Sequence, residues 1–359
     1  MTGGVASEHV RTEVRGALGV VELDRQAALN ALTHDMVLEI ADALRQWADD
    51  PRVERVAITG AGRALCAGGD VVSLVDDIRA TGGEGAGRFW RDEYALNAAI
   101  ARYPKPVVAI QHGIVLGGGV GLSGHASHRV VTDSTRIGFP EVTIGFVPDV
   151  GATWLLTREP GELGTRAALT GDHFGAADAI LLGLADTYVP EDRLPALLAA
   201  LETAEPDEAI GRFATEAPEG RLEGERAMLD EALAGGDVTA LLERLDASGP
   251  EGQAIGATIR KRSPFAVTVT LAALRRAREL PSLEAALAEE YRVSRATTLQ
   301  PDFAEGVRAQ IIDKDRAPQW RPSSLADVTP AMVEASFAAP PEGDLQLPAV
   351  TERSRSTHD

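Results

Sequence analysis

Twice within the first 124 residues a short apolar run is followed by small residues and then by a helix-like pattern, and no other feature limits the possible folds as much. Val56-Ala57-Ile58-Thr59 leads to Leu65-Cys66-Ala67-Gly68-Gly69-Asp70 and on to Val71-Val72-Ser73-Leu74-Val75. Pro106-Val107-Val108-Ala109-Ile110 leads, after five more residues, to Leu116-Gly117-Gly118-Gly119-Val120-Gly121-Leu122-Ser123-Gly124. Short runs of this kind, rich in branched side chains and bounded by turn residues, read as buried strands. Strands that alternate with helices imply α/β architecture.

The flanking pattern fits that class. Thr12-Glu13-Val14-Arg15, a Gly16-Ala17 turn and Gly19 to Asp24 predict a β-hairpin over 10–25. Thr33 is placed to cap a helix in which Met36, Val37, Ile40, Leu44 and Trp47 recur every three or four residues until Asp49-Asp50-Pro51 stops them. A further strand is expected at 129–132 and a helix at 87–101. From about residue 160 the strand signal fades, and Ala- and Leu-rich segments predict helices at 191–203, 222–234, 238–246, 265–278 and 283–297. The expected organisation is a core over 1–203, a helical region over 204–337 and a Pro-rich tail, frayed, over 338–359.

Charge narrows the partners. A formal net charge of -19 argues against nucleic acid and anionic membranes, which reward clustered Lys and Arg. No apolar run approaches the roughly 20 residues that span a bilayer, and the first residues lack the basic and apolar segments of a secretory signal, so the expected location is cytoplasmic. The single cysteine, Cys66, permits no internal disulfide and reads as a small core residue. His125 and His128 stand three apart, a spacing that can put two metal ligands on one helix face, but no third ligand lies nearby in the sequence.

Gly119, Gly121 and Gly124 form a literal G-x-G-x-x-G. In a dinucleotide-binding fold the first glycine follows the strand at once, whereas here Gln111 to Leu116 intervene, so the nucleotide reading fails. Two readings of the run stay open: a close crossing of helix and strand, or backbone N–H donors aimed at a developing negative charge. The loop at 65–70 could supply a second donor to the same oxygen. Glu141 and Asp149 lie in the apolar, proline-containing stretch Phe139 to Gly151. Either alone would read as a cap or a surface residue, but in apolar surroundings a carboxyl group is raised and becomes useful as base, acid or nucleophile.

Taken together, Leu23-Asp24-Arg25, Leu29-Asn30-Ala31-Leu32, Ala67-Gly68-Gly69-Asp70, Gly117-Gly118-Gly119 and Pro140-Glu141 resemble, in order, the crotonase superfamily of acyl-CoA enzymes. Arg91 to Tyr94, Phe146 to Gly151, Gly306 to Ala309 and Ile312 to Asp315 are most similar to its 3-hydroxyisobutyryl-CoA hydrolase branch. The resemblance implies a spiral of ββα units with a trailing helical part. It implies an oxyanion hole from the N–H groups of Gly69 and Gly118, Glu141 and Asp149 as catalytic carboxylates, and Glu93 and Ala67 at the substrate. Arg25 is the candidate for a coenzyme A phosphate. Coenzyme A is part of the substrate, no separate cofactor or metal is implied, and self-association is expected. In hydratases of the superfamily the position of Gly121 carries a second catalytic Glu, so the resemblance implies hydrolysis of a short 3-hydroxyacyl-CoA thioester, a step of valine breakdown. A hydratase or isomerase working through Glu141 alone, and a non-catalytic acyl-CoA-binding subunit, are the alternatives.

Overall fold

A computed structural model describes residues 8–347. The hairpin forms as expected from β1 (Val10–Arg15) and β2 (Leu18–Leu23), paired antiparallel. Its turn needs Gly16, whose φ is +58° and where an added Cβ would stand 2.6 Å from the Glu202 carbonyl oxygen. Helix α1 (His34–Ala48) starts where Thr33 Oγ1 accepts from the Met36 N–H at 3.3 Å, and its stripe of Met36, Val37, Ile40, Leu44 and Trp47 is buried.

The chain then repeats one device. β3 (Arg55–Gly60) is followed by β4 (Ala64–Cys66) and helix α2 (Val71–Thr81). Helix α3 (Glu84–Ala101) leads to β5 (Val107–Gln111), β6 (Ile114–Leu116) and helix α4 (Gly118–Ser123). β7 (His128–Val131) and β8 (Arg136–Gly138) precede a single tight turn at Glu141–Ile144. β9 (His173–Phe174) and β10 (Thr187–Tyr188) complete the strands. Among the described residues the first strands of these three units, β3, β5 and β7, enter one sheet, ordered β1-β2-β3-β5-β7-β10, and the second strands, β4, β6 and β8, enter another, ordered β4-β6-β8-β9. Apart from the hairpin and the β8–β9 pair, neighbours run parallel. This is the spiral of ββα units that the resemblance implied.

The second sheet was not legible in the sequence. Ile114-Val115-Leu116, which read as an interruption before the glycines, is its strand β6. Strands of two or three residues show no measurable alternation, which also hid β9 and β10 beyond residue 160.

One face of the larger sheet is closed by Leu197, Leu201, Ala209 and Ile210 packing on Leu18, Val108 and Val130. The helical region expected from residue 204 therefore begins on that face. The helix Leu283–Thr298 packs into the main core through Leu287 and Tyr291. Of the tail expected to fray, Glu342 pairs with Arg295, Asp344 pairs with Arg292 at 2.6 Å, and Leu345 is buried. Residues 348–359 of that expectation lie outside the described residues.

Candidate active site

The two glycine loops lie against each other. The first is pinned beside Leu32, whose N–H donates to the Gly68 carbonyl and whose carbonyl accepts from the Asp70 N–H, both at 2.8 Å. Gly69 is held between those bonds, and among the described residues its own N–H finds no acceptor. Asp70 caps α2, with Oδ1 accepting from the Ser73 N–H at 3.3 Å, and its Oδ2 accepts from Arg25 Nη2 at 2.8 Å. Arg25, expected at a coenzyme A phosphate, also donates to the Ala31 carbonyl. Ala67, beside Gly68, is half-buried and donates its N–H to the Leu29 carbonyl. The Leu29-Asn30-Ala31-Leu32 motif is thus scaffolding: the Asn30 side chain ties Arg25 to the carbonyls of Ala61 and Ala64.

The second loop ends at Gly117, with φ +48° and ψ -116°, which turns β6 sharply into α4. Gly118, as the first residue of α4, has an N–H without an intrahelical partner. An added Cβ on Gly68 would lie 3.9 Å from that nitrogen, so the donors of both loops border one small space. The later glycines serve packing. A Cβ on Gly119 would stand 2.3 Å from the Cys66 carbonyl oxygen, and one on Gly124 would stand 2.9 Å from Leu155 Cδ1. Of the two readings left open by the sequence, the close crossing of helix and strand holds at Gly119, against β4.

Carboxyl groups surround this space. A Cβ on Gly117 would lie 2.7 Å from Glu141 Oε1, and one on Gly118 would lie 2.5 Å from Glu93 Oε1. Glu93, Glu141 and Asp149 are all buried. Burial, with the charge of Asp149 second, holds Glu93 and Glu141 well above the usual carboxylate range. Burial pushes Asp149 up to about 7, against the pull of the Tyr94 hydroxyl, which donates to Asp149 Oδ2 at 2.5 Å. Tyr94 Oη also meets Ser294 Oγ at 2.7 Å. Glu141 Oε2, Glu93 Oε1 and both polar atoms of the Asn97 side chain are buried without a partner among the described residues. Unpaired buried polar groups of this kind are uncommon in native proteins and mark places where a ligand or water belongs.

Other chemistry finds less support. Burial pushes the Cys66 thiol up to about 12, which keeps it protonated. His125 Nε2 bonds to the Val150 carbonyl, whereas His128 lies against Ser127 and Asp207, so the two rings are engaged by different partners.

The structure adds residues whose roles sequence reasoning missed. Tyr94, Asn97, Glu290 and Ser294 are buried around Asp149 and the glycines. Glu290 takes the N–H groups of Gly151 and Thr153 and the Thr153 hydroxyl at 2.6–2.8 Å, which fixes the end of the Phe139–Gly151 stretch. Glu93 and Asn97 did leave a signal: two polar residues one turn apart within the apolar face of Phe89, Trp90 and Ile100.

Two glycine loops beside a buried glutamate in a ββα spiral define an acyl-CoA enzyme of the crotonase type. The chain belongs to the enoyl-CoA hydratase/isomerase family, whose model matches residues 18–337. It is 36% identical over 360 residues to a mitochondrial 3-hydroxyisobutyryl-CoA hydrolase of Danio rerio, covering 97% of this chain and 94% of the relative. Among solved structures it is similar to a carnitinyl-CoA dehydratase from Mycobacterium thermoresistibile, with TM-score 0.91, 48% identity and coverage of 95% and 99%. It is also similar to an enoyl-CoA hydratase from Rhodobacter sphaeroides 2.4.1, with TM-score 0.88, 42% identity and coverage of 95% and 100%.

Proposed function

We propose that the chain hydrolyses a short 3-hydroxyacyl-CoA thioester, 3-hydroxyisobutyryl-CoA foremost. One observation carries the choice of hydrolysis over hydration. A Cβ at Gly121 would stand 2.8 Å from Val150 Cβ and 2.9 Å from Asn97 Nδ2, so the place of the second hydratase carboxylate is filled by neighbours. Addition of water across a double bond loses one of its two acid–base groups. Thioester hydrolysis needs only the N–H pair and one carboxylate.

In this reading the acyl carbonyl oxygen sits at the N–H groups of Gly69 and Gly118. As the carbon becomes tetrahedral the oxygen gains charge, and each such donor is worth about 2.7–4 kcal/mol in comparable enzymes. Glu141 acts in one of two ways. Its carboxylate attacks the carbonyl and expels the coenzyme A thiolate, leaving an anhydride that water opens, or it takes a proton from the water that attacks. Both routes give the free acid and coenzyme A. Asp149, oriented by Tyr94, receives the substrate hydroxyl, and Glu93 forms the wall beside Gly118. The identity to a 3-hydroxyisobutyryl-CoA hydrolase over nearly the full chain supports the substrate class.

The second reading is hydration or dehydration of an acyl-CoA, favoured by the names of the two solved structures at 48% and 42% identity. Thiol release from 3-hydroxyisobutyryl-CoA, 3-hydroxypropionyl-CoA, isobutyryl-CoA and crotonyl-CoA separates the two. Rapid release from the hydroxylated esters, abolished in Glu141→Gln, is the expected result. Loss of crotonyl absorbance without thiol release would transfer the assignment to hydration.

A further inference from the structure

The buried face of α3 carries Glu93, Tyr94 and Asn97 toward the site. Glu93 faces Gly118 and Tyr94 holds Asp149, but the Asn97 side chain has no visible task. It is 0% exposed, and neither Nδ2 nor Oδ1 has a hydrogen-bond partner among the described residues. A buried amide left unbonded is costly, so its persistence calls for a ligand or water that completes it.

Its position points to that ligand. A Cβ at Gly121 would lie 2.9 Å from Asn97 Nδ2 and 3.1 Å from Oδ1, so the amide occupies the space beside residue 121. Gly121 is three residues beyond Gly118, roughly 4.5 Å further along the helix axis. That distance is comparable with the reach from a thioester carbonyl carbon at Gly118 to an oxygen on the third acyl carbon. In a hydratase the group at this place exchanges protons with water at the double bond. An amide can donate to an oxygen there but cannot take up or deliver its proton.

We infer that Asn97 is a specificity-determining residue whose Nδ2–H donates to the substrate's 3-hydroxyl oxygen. The hydroxyl proton is directed to the neighbouring carboxyl group, Asp149. The neutral amide thereby recognises a 3-hydroxyl group without helping to expel it as water. The proposal deepens the hydrolase reading and shares its substrate class.

The test measures affinity in a Glu141→Gln background, where bound ester persists. Calorimetric Kd values are compared for 3-hydroxyisobutyryl-CoA and isobutyryl-CoA. The hydroxylated ester binds about tenfold or more tightly, and Asn97→Leu brings that ratio to about one, the loss of one hydrogen bond with its buried partner. An unchanged ratio, or an equal weakening of both esters, overturns the proposal. Should Asn97→Leu fail to fold, as judged by its thermal transition, Asn97→Ser supplies the ratio. The two claims fail separately: absence of thiol release from every ester removes hydrolysis, whereas the ratio of Kd values reports on Asn97 with or without turnover.

Discussion

At Asp149 burial, opposed by the Tyr94 hydroxyl and a backbone hydrogen bond, sets the protonation state. The folded-state value of about 7 stands above the ordinary 3.8, so the native protein holds a proton that the unfolded chain releases at lower pH. Stability tied to this group is therefore full below about pH 4 and is lost as pH rises toward 7. Asp149→Asn removes the titration, and the difference between its Tm and that of the wild type should move in favour of the variant from pH 4 to pH 7. A pH-independent difference would mean that Asp149 ionises in its ordinary range. The same variant reports on Glu141, which burial raises first and the charge of Asp149 second. In the proposed mechanism Glu141 works ionised, so kcat/KM should rise with pH through its titration, and loss of the Asp149 charge should move that limb to lower pH. A limb that stays in place would detach Asp149 from Glu141.

At the scale of elements, the proposed choice of hydrolysis over hydration rests on the approach of α3 to α4. Gly118 and Gly121 on α4 admit Glu93 and Asn97 of α3 to distances at which a Cβ would collide. Gly121→Ala meets Val150 and the Asn97 amide, packed side chains with little room to yield, and should cost about 1–3 kcal/mol in urea unfolding. Gly121→Glu should cost more and gain no hydration of crotonyl-CoA, because the second carboxylate has no space. Wild-type stability in Gly121→Ala would show that α3 or the Val150 segment moves aside, and hydration would then return to consideration. The sequence held the glycines but not this meaning: Gly121 sits in a run whose members have separate duties, and only the neighbour at each Cβ position distinguishes them.

Across the whole molecule the site is completed from the far end of the chain. Ser294 meets Tyr94 across 200 residues, and Glu290 binds Gly151 and Thr153 across 139 and 137. Glu290→Ala leaves two backbone N–H groups and a hydroxyl buried without acceptors and should lower unfolding free energy by about 3 kcal/mol or more. Turnover should fall with it, because Asp149 lies two residues from Gly151. A variant with wild-type stability and turnover would show the Glu290 contacts to be dispensable.

What the sequence determined by itself is local or carried by motif: the hairpin, the Thr33 cap, the strands at β3 and β5, and the glycine loops followed by helices. Each depends on neighbours within a few residues, where periodicity and turn chemistry act. The ordered motifs also pointed to the family. Tertiary structure alone decided the second sheet, whose strands are too short to show a period. It alone placed Glu141 and Glu93 opposite Gly117 and Gly118, and closed the space at Gly121 with Asn97 and Val150. These are contacts between segments distant in the chain, and hydrophobic packing that is indifferent to chain separation sets them.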